Sequence, residues 1–244
     1  MNTYLAVISL AFMSVVTTVA GVALALRFRE NKIGIATGIG FSAGIMLLIS
    51  FLELIPESTA EVGVLHAAAT VGLGGLVLFA LHLVIPHTHL IEERNGIGAR
   101  TLKSAYLVVF GLILHDVPEG FAMANSYIAS PSLGILVAVA IALHNLPEEF
   151  AMAVPAVLIS RKRFLYGSAL FSALAEPAGA IIGLVAVEIL PALNPLFMAF
   201  AAGAMIFVSI HELVPMARKY GNLPLFAVGL VLSALVYVAL NAVI

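Results

Sequence analysis

The sequence predicts an all-α polytopic membrane protein with eight transmembrane helices, on three grounds. Hydrophobic residues make up 62% of the 244-residue chain and charged residues only 10%, whereas soluble domains contain about 45–50% apolar residues. The chain divides into eight apolar runs, and about 20 residues are enough for a helix to cross a bilayer. All Lys and Arg residues fall into alternate connections between these runs. Because the connections are short, we expect one transmembrane domain over residues 1–244.

The eight predicted spans fill the chain almost completely. They cover residues 4–26, 33–55, 64–86, 105–127, 132–159, 164–190, 195–216 and 223–243. The first span lacks a basic start, so we expect it to be retained rather than removed as a signal peptide. The chain contains no Cys, which excludes a disulfide framework and a thiolate metal site.

The basic residues predict the orientation of the chain. All eleven lie in the first, third, fifth and seventh connections: Arg27, Arg29, Lys32, Arg94, Arg100, Lys103, Arg161, Lys162, Arg163, Arg218 and Lys219. The second connection carries Glu57 and Glu61, and the fourth is uncharged. Because positively charged loops stay in the cytoplasm, we expect a multi-pass protein of the cell (inner) membrane with both termini outside.

Two nearly identical stretches place polar residues inside apolar spans. LHDVPEGFAMA lies in the fourth span and LHNLPEEFAMA in the fifth. Positions i and i+4 share a helix face, so His115 lies over Glu119, and His144 over Glu148. The proline three residues after each His predicts a kinked helix. Imidazole and carboxylate together suit Zn, Fe or Mn; the alternative is a pair of hydrogen-bonded clusters that lock the two helices together.

Polar residues beside these clusters extend the candidate metal site. Asp116 and Asn145 lie about 100° round the helix from the preceding His. There they form a second ligand set that shares Glu119 and Glu148, or they bond a neighbouring helix. Glu176 in the sixth span is a third-helix contribution to the same site, since an intramembrane acid is a functional hypothesis by default.

Two residues near the clusters have open roles. Glu149 points away from Glu148 and is a proton acceptor, an outer ligand or a partner for a polar neighbour. Met46 in the second span is a packing residue or a ligand, and a thioether is a weak donor for hard ions.

Further His and Glu residues lie near span ends. Glu53 on the outer side and the His211/Glu212 pair on the cytoplasmic side are way-stations for an ion, or acids that snorkel to the interface. His87 and His89 fall in the cytoplasmic third connection. They hold a departing ion weakly, or they belong to an ordinary polar helix end.

The second and seventh spans resemble each other. The residues of the second that match the seventh in register are Phe41, Ala43, Gly44, Met46, Ser50, Glu53, Leu54 and Pro56, and their counterparts are Phe200, Ala202, Gly203, Met205, Ser209, Glu212, Leu213 and Pro215. These spans cross the membrane in opposite directions, so we expect an inverted 3+2+3 repeat, with helices 1–3 and 6–8 around the central pair 4–5. Inverted repeats recur in secondary transporters.

Motif spacing argues against an enzyme. A zincin-type protease needs His-Glu-x-x-His on one helix turn, but His211 and Glu212 are followed by Pro215 in place of the second His. We therefore predict no catalytic residue and no cofactor other than a transported metal. The alternatives are a membrane-embedded metal-dependent hydrolase and a transporter of another cation.

At these residues the chain resembles the ZIP (Zrt/Irt-like protein) family of divalent metal transporters, most closely its bacterial ZupT-like branch. The segments that carry the resemblance are LHDVPEG, LHNLPEE, SALAEPAGA, AGIMLLISFLELIP and LVIPHTH. The resemblance implies alternating-access import of zinc, and also of iron, manganese or cadmium, into the cytoplasm. It also implies an elevator-type movement of spans one, four, five and six. The expected partners are divalent ions, membrane lipids and, as within the family, a second copy in a homodimer, but no nucleic acid.

The resemblance further implies a site for two metals. The first metal would be bound by His115, Glu119, His144 and Glu148, with Met46 as a further ligand; the second would be bound by Asp116, Asn145 and Glu176, with Glu119 and Glu148 bridging. The chain departs from ZupT-like members at Asp116, where Asn is usual, and at Glu149, where Gly is common. Added carboxylate should favour harder ions such as Fe or Mn.

Overall fold

A computed structural model of the protein describes residues 2–28, 31–84, 115–157, 167, 170, 172–219 and 223–244. Every regular element within these residues is helical. We number the helices α1 to α8 in chain order. Their bounds are Thr3–Phe28 for α1, Lys32–Val62 for α2, Val64–Val84 for α3, 115–129 for the described part of α4, Pro131–Val157 for α5, Ala175–Ile189 for α6, Asn194–Val208 with its continuation to Lys219 for α7, and Leu223–Val243 for α8.

Six of these helices are long and apolar enough to cross a membrane. They are α1, α2, α3, α5, α7 and α8, in the segments Thr3–Phe28, Lys32–Val62, Val64–Leu83, Pro131–Ala151, Pro191–Arg218 and Leu223–Val243. They match six of the predicted spans. The helix at 115–129 overlaps the predicted fourth span and ends two residues beyond it, and α6 lies inside the predicted sixth span. The all-helical prediction is therefore confirmed for the described residues.

The second connection differs from its prediction. Glu57 and Glu61, expected in a loop, lie on the last segment of α2, which runs to Val62. Pro56 begins that segment without disrupting it, because the first turn of a helix needs no amide hydrogen at this position. The helix ends at Gly63, whose φ of 80° suits a residue without a side chain.

Two π turns interrupt α2 and α7. They span Ser50–Leu54 and Ser209–Leu213, which are corresponding positions in the aligned second and seventh spans. Each begins with a serine whose hydroxyl donates to the carbonyl of the methionine four residues earlier, at 2.7 Å for Ser50 and 2.9 Å for Ser209. π turns are rare and often mark functional positions, and each of these carries a glutamate, Glu53 or Glu212.

Small residues allow the helices to pack closely. α2 packs along α8, α3 along α7, and α1 along α5. A Cβ built at Gly40 would lie 2.1 Å from the carbonyl oxygen of Phe226, and one at Gly203 would lie 1.9 Å from that of Val71. Such contacts are shorter than any side chain tolerates, so glycine sets the helix separation here, as in other membrane bundles.

This packing makes a testable prediction. Gly203→Ala should lower stability by about 1–3 kcal/mol, the usual effect of overpacking, because the obstructing atoms belong to the backbone of α3 and have no rotamer to adopt. Gly72→Ala is the matched control, since a Cβ there meets nothing within 4 Å; its stability should be unchanged or slightly raised, as alanine favours helix. Thermal unfolding in detergent measures both. A Gly203→Ala protein as stable as the wild type would contradict the packing described above.

Candidate metal site

The candidate site lies between α4 and α5, at the two repeated stretches. One ligand atom each from Glu119, His144 and Glu148 lies within 4.8 Å of the others, and all three residues are buried. His115 is also buried, with Nε2 at 3.8 Å from Oε1 of Glu148. The predicted i, i+4 contact is present at His144 and Glu148, whose Nε2 and Oε2 lie 3.6 Å apart, whereas His115 contacts Glu148 of the neighbouring helix.

Backbone contacts fix the orientation of the His144 ring. Nδ1 lies 3.1 Å from the carbonyl oxygen of Ala140, and because a carbonyl only accepts, Nδ1 carries the proton. Nε2 then faces Oε1 of Glu119 at 3.2 Å and Oε2 of Glu148 at 3.6 Å. A carbonyl bond of this kind is typical behind a metal-binding histidine, because it leaves the other nitrogen available as a ligand.

Two carboxylate oxygens in the cluster lack hydrogen bonds. Oε2 of Glu119 and Oε2 of Glu148 are buried and have no hydrogen-bond partner among the described residues. A buried acceptor left unpaired is destabilising by about 1–3 kcal/mol, and more when it is charged. A cation bound between the two carboxylates would remove that penalty.

The second predicted ligand set is held together by neutral donors. Asn145 Nδ2 donates to Oε2 of Glu176 at 3.0 Å, and Ser14 Oγ donates to Oε1 of the same carboxylate at 2.6 Å. Ser172 Oγ donates to Oδ2 of Asp116 at 2.9 Å. Both oxygens of Glu176 are therefore occupied, unlike the glutamates of the first set.

Sequence reasoning missed these two serines. Ser14 is on α1, which was assigned no site residue, and Ser172 precedes α6. A weak signal existed for α1, because Ser14, Thr18 and Gly21 repeat at i, i+4 and i+7 and so share one face. All three are buried.

Glu212 joins the central cluster to α3. It is buried, with Oε2 at 3.6 Å from Nε2 of His115 and Oε1 at 3.8 Å from Nδ1 of His82. The His82 and His211 rings lie 4.5 Å apart, and His211 stacks on Phe207 at 4.8 Å. Glu212 therefore faces the protein interior, and the snorkelling alternative does not describe it. His87 and His89 lie outside the described residues.

Glu53 has a different environment. Its Oε1 accepts hydrogen bonds from the hydroxyl of Tyr237 and from Nδ2 of Asn241, both on α8. The side chain is half-buried. It also lines a cavity of about 290 Å³ with Glu57, Ser130, Ser132, Leu133, Leu136, Asn241 and Ile244. Glu53 thus faces both a structural partner and an open polar space.

The second helix supports the site from the opposite side. Ser42 Oγ donates to the carbonyl oxygen of His144 at 2.9 Å, and both residues are fully buried. Gly38, one turn earlier, makes room for the ring of Pro147, because a Cβ there would lie 2.9 Å from that of the proline. Further along the same face, Met46 Sδ lies 3.6 Å from the hydroxyl oxygen of Ser209.

Proline explains why this support is needed. Pro147 has no amide hydrogen for the carbonyl of Leu143, and its ring loosens the adjoining turn. α5 nevertheless continues through Pro147 to Val157. The Ser42 hydroxyl of α2 bonds the carbonyl of His144, next to the Leu143 carbonyl that lacks its usual donor, so it helps to position the backbone of a candidate ligand.

The candidate site contains far more negative than positive groups. Six carboxylic acids are buried: Asp116, Glu119, Glu148, Glu149, Glu176 and Glu212. Among the residues whose side chains the structure describes, Arg27, Lys32 and Arg218 are the basic ones, and all three are exposed. Isolated buried carboxylates are unstable unless they are paired or bind metals, so protons or metal ions have to balance this charge.

Comparison with known proteins decides the family. The profile of the "ZIP Zinc transporter" family matches residues 86–240. The chain belongs to the ZIP family of zinc transporters. It is accordingly a multi-pass membrane protein and not an enzyme, which removes the hydrolase alternative.

Similar proteins cover almost the whole chain. Zinc transporter ZupT of Chlorobium limicola is 35% identical over 256 aligned positions, which cover 96% of each chain. ZupT of Corynebacterium aurimucosum is 36% identical over 88% of each chain. Zinc transporter GufA of Myxococcus xanthus is 41% identical over 64% of this chain and 63% of the relative. The resemblance drawn from the sequence motifs is therefore confirmed.

The support from α2 yields a prediction. Ser42→Ala should weaken equilibrium zinc binding by roughly 3-fold, and by no more than ~20-fold, the range measured for single hydrogen bonds between membrane helices. Ser126→Ala is the matched control, because Ser126 is equally buried but bonds the Ala122 carbonyl within its own helix. Titration of purified protein with zinc measures both. Equal affinities in the two variants would show that Ser42 does not position the site.

Proposed function

We propose that this protein imports divalent metal ions, zinc foremost, into the cytoplasm through the buried site on α4 and α5. The observation that carries the proposal is the cluster of Glu119, His144 and Glu148 with its two unpaired carboxylate oxygens, in a chain of the zinc transporter family. Its relatives named ZupT and GufA are zinc transporters. Zinc is therefore the first ion to test.

The ligand separations support a first ion at this cluster. Zinc binds nitrogen and oxygen ligands at about 2.0–2.2 Å, usually in a tetrahedron, so neighbouring ligand atoms lie about 3.3 Å apart. Nε2 of His144 lies 3.2 Å from Glu119 and 3.6 Å from Glu148. His115 completes the set after a small side-chain movement, since its Nε2 is already 3.8 Å from Glu148.

A second ion would bind beside the first, at Asp116, Asn145 and Glu176, with Glu119 and Glu148 as bridging ligands. The neutral donors Ser14 and Ser172 hold two of these acids. An ion entering the second set has to displace those donors or share their acceptors, whereas the first set offers unpaired oxygens. The first set should therefore fill first, and the two ions should differ in affinity.

The path into and out of the site follows the two π turns. Glu53, beside the polar cavity on the outer side, would receive the ion, and its bonds to Tyr237 and Asn241 hold its carboxylate in place. On the cytoplasmic side Glu212 lies between His115 and His82. This line of side chains supports release through α3 and α7, in which His115 passes the ion to Glu212.

The proposed inverted repeat would provide for alternating access. The two π turns occupy corresponding positions, and so do the contacts of their glutamates: Glu53 meets Asn241 on α8, and Glu212 meets His82 on α3. In the proposed movement α1, α4, α5 and α6 shift against α2, α3, α7 and α8, as the family resemblance suggests. Ser42 bonds across that boundary, so this bond would form in some states and break in others.

Transport itself is tested by zinc uptake into vesicles containing purified protein. Glu119→Gln and Glu148→Gln should each reduce uptake at least 10-fold, because loss even of a residue that only supports a ligand weakens metal binding 10–100-fold. Glu61→Gln is the control, since this acid is exposed at the end of α2. Intact protein whose uptake survives both central changes would contradict the proposed site.

The proposed orientation has its own test, which the absence of Cys makes simple. Asn2→Cys and Ser130→Cys should react with a membrane-impermeant maleimide added to intact cells, because both positions are expected outside. Lys32→Cys should react only after the membrane is permeabilised. The reverse pattern would place both termini in the cytoplasm and make the proposed direction of transport wrong.

A further inference from the structure

Glu149 is a buried acid without an assigned role. Its side chain is 2% exposed, and its Oε2 has no hydrogen-bond partner among the described residues. None of the described residues therefore acts as a polar partner of this oxygen, which is one of the three roles that the sequence left open. The structure shows the hydroxyls of Ser14 and Ser172 on other acids instead.

The position of Glu149 on α5 pairs it with Asn145. The two residues are four apart and share a helix face, just as His144 and Glu148 do on the adjacent face. Helical side chains lean toward the N-terminus of their helix, so Glu149 leans toward Asn145. Since Asn145 donates to Glu176, the face that carries Glu149 is also the face that meets the second ligand set.

The neighbours of Glu149 are acids and a glycine. Asp116, Glu119, Glu148 and Glu176 all interact with it electrostatically. On α1, a Cβ at Gly21 would lie 2.7 Å from Cβ of Glu149 and 2.6 Å from the carbonyl oxygen of Leu146. The absence of a side chain at position 21 therefore makes the space that a glutamate occupies here, against the helix whose Ser14 supports Glu176.

A carboxyl group buried among four others, with one oxygen that has no hydrogen-bond partner among the described residues, is stable only when a proton or a cation neutralises it, and a divalent ion bound here would do so. Asparagine and carboxylate oxygens are ligands for hard divalent ions. We propose that Glu149 is an additional ligand of the second metal site, which it completes together with Asp116, Asn145 and Glu176. This inference rests on the proposed function, because it requires the second ion to bind. The added carboxylate shifts the second site toward harder ions such as Mn²⁺ or Fe²⁺.

Metal titration of purified protein tests the role of Glu149. Calorimetry with Zn²⁺ and with Mn²⁺ would compare the wild type with Glu149→Gln, which keeps the shape of the side chain and removes its charge. We expect two ions in the wild type. In the variant, the first ion should bind unchanged and the second about 10–100-fold more weakly, with the larger loss for Mn²⁺. Glu61→Gln, at an exposed position, should match the wild type.

Thermal unfolding of the metal-free protein separates ligation from a structural role. A ligand without its ion is an unfavourable buried acid, so metal-free Glu149→Gln should be at least as stable as the wild type, and added Mn²⁺ should stabilise it less. A variant that unfolds earlier without metal and still binds both ions normally would overturn the inference.

The binding data also distinguish this inference from the proposed function. If the wild type and Glu149→Gln bind two ions with equal affinities, Glu149 is not a ligand, and the proposed transporter is unaffected. If the wild type binds a single ion, the second site and the role of Glu149 fail together while the first site remains. A wild type that binds no divalent ion would overturn the proposed function itself.

Discussion

The surplus of buried carboxylic acids in the centre of the helix bundle, which protons or metal ions have to neutralise, is the constraint on which the rest of this structure depends. Six carboxylic acids are buried on α4, α5, α6 and α7, and the basic side chains that the structure describes are exposed. Burying one such group without a partner is strongly unfavourable. Small residues let the surrounding helices approach closely. Serine hydroxyls on these segments donate hydrogen bonds to the carboxyl groups of Glu176 and Asp116. The carboxylate oxygens of Glu119 and Glu148 that have no hydrogen-bond partner among the described residues are available to a cation.

The two candidate ligand sets therefore differ in how well their carboxyl groups are hydrogen-bonded when no metal is bound. Glu176 has both oxygens bonded, by Ser14 and Asn145, so it is stable in the empty protein. Glu119 and Glu148 each keep an unpaired oxygen next to His144, so the empty first set is the less stable of the two. In the proposed alternating access the protein returns without its ion, and hydrogen-bonded acids would make that step easier. An ion held only by acids without hydrogen bonds would dissociate slowly. The proposed neighbouring sites combine tight capture with a route to weaker binding.

Features of the fold and of the candidate site could be predicted when the residues that form them lie close together in the sequence. The i, i+4 spacing placed His144 over Glu148 correctly, because one helix fixes both residues, and apolar run lengths located six membrane-spanning helices. Contacts between helices were not predictable in this way. Ser42 meets His144 and Ser14 meets Glu176 only because distant segments pack together. The sequence offered only a weak signal for Ser14, in its spacing to Thr18 and Gly21. The extension of α2 past Glu57 was missed because acids next to Pro56 resemble a loop, whereas the proline begins a further helical segment.

The two π turns lie at corresponding positions of the repeated sequence, and each carries a glutamate of the proposed ion path. A π turn inserts one extra residue, which rotates the following part of the helix by about 100° relative to an uninterrupted one. In α7 this change accompanies a Glu212 that faces His115 and His82 inside the bundle; in α2 it accompanies a Glu53 that faces α8. In the predicted inverted repeat the second and seventh spans cross the membrane in opposite directions, so the same local insertion would aim one acid at each end of the proposed path. The partners of the two acids differ. Tyr237 and Asn241 are weaker metal ligands than a carboxylate, so at Glu53 the carboxylate itself would bind an arriving ion. At Glu212 the neighbouring imidazoles of His82 and His115 are themselves potential ligands. That difference would suit the proposed import, with capture of the ion at Glu53 and stepwise transfer at Glu212.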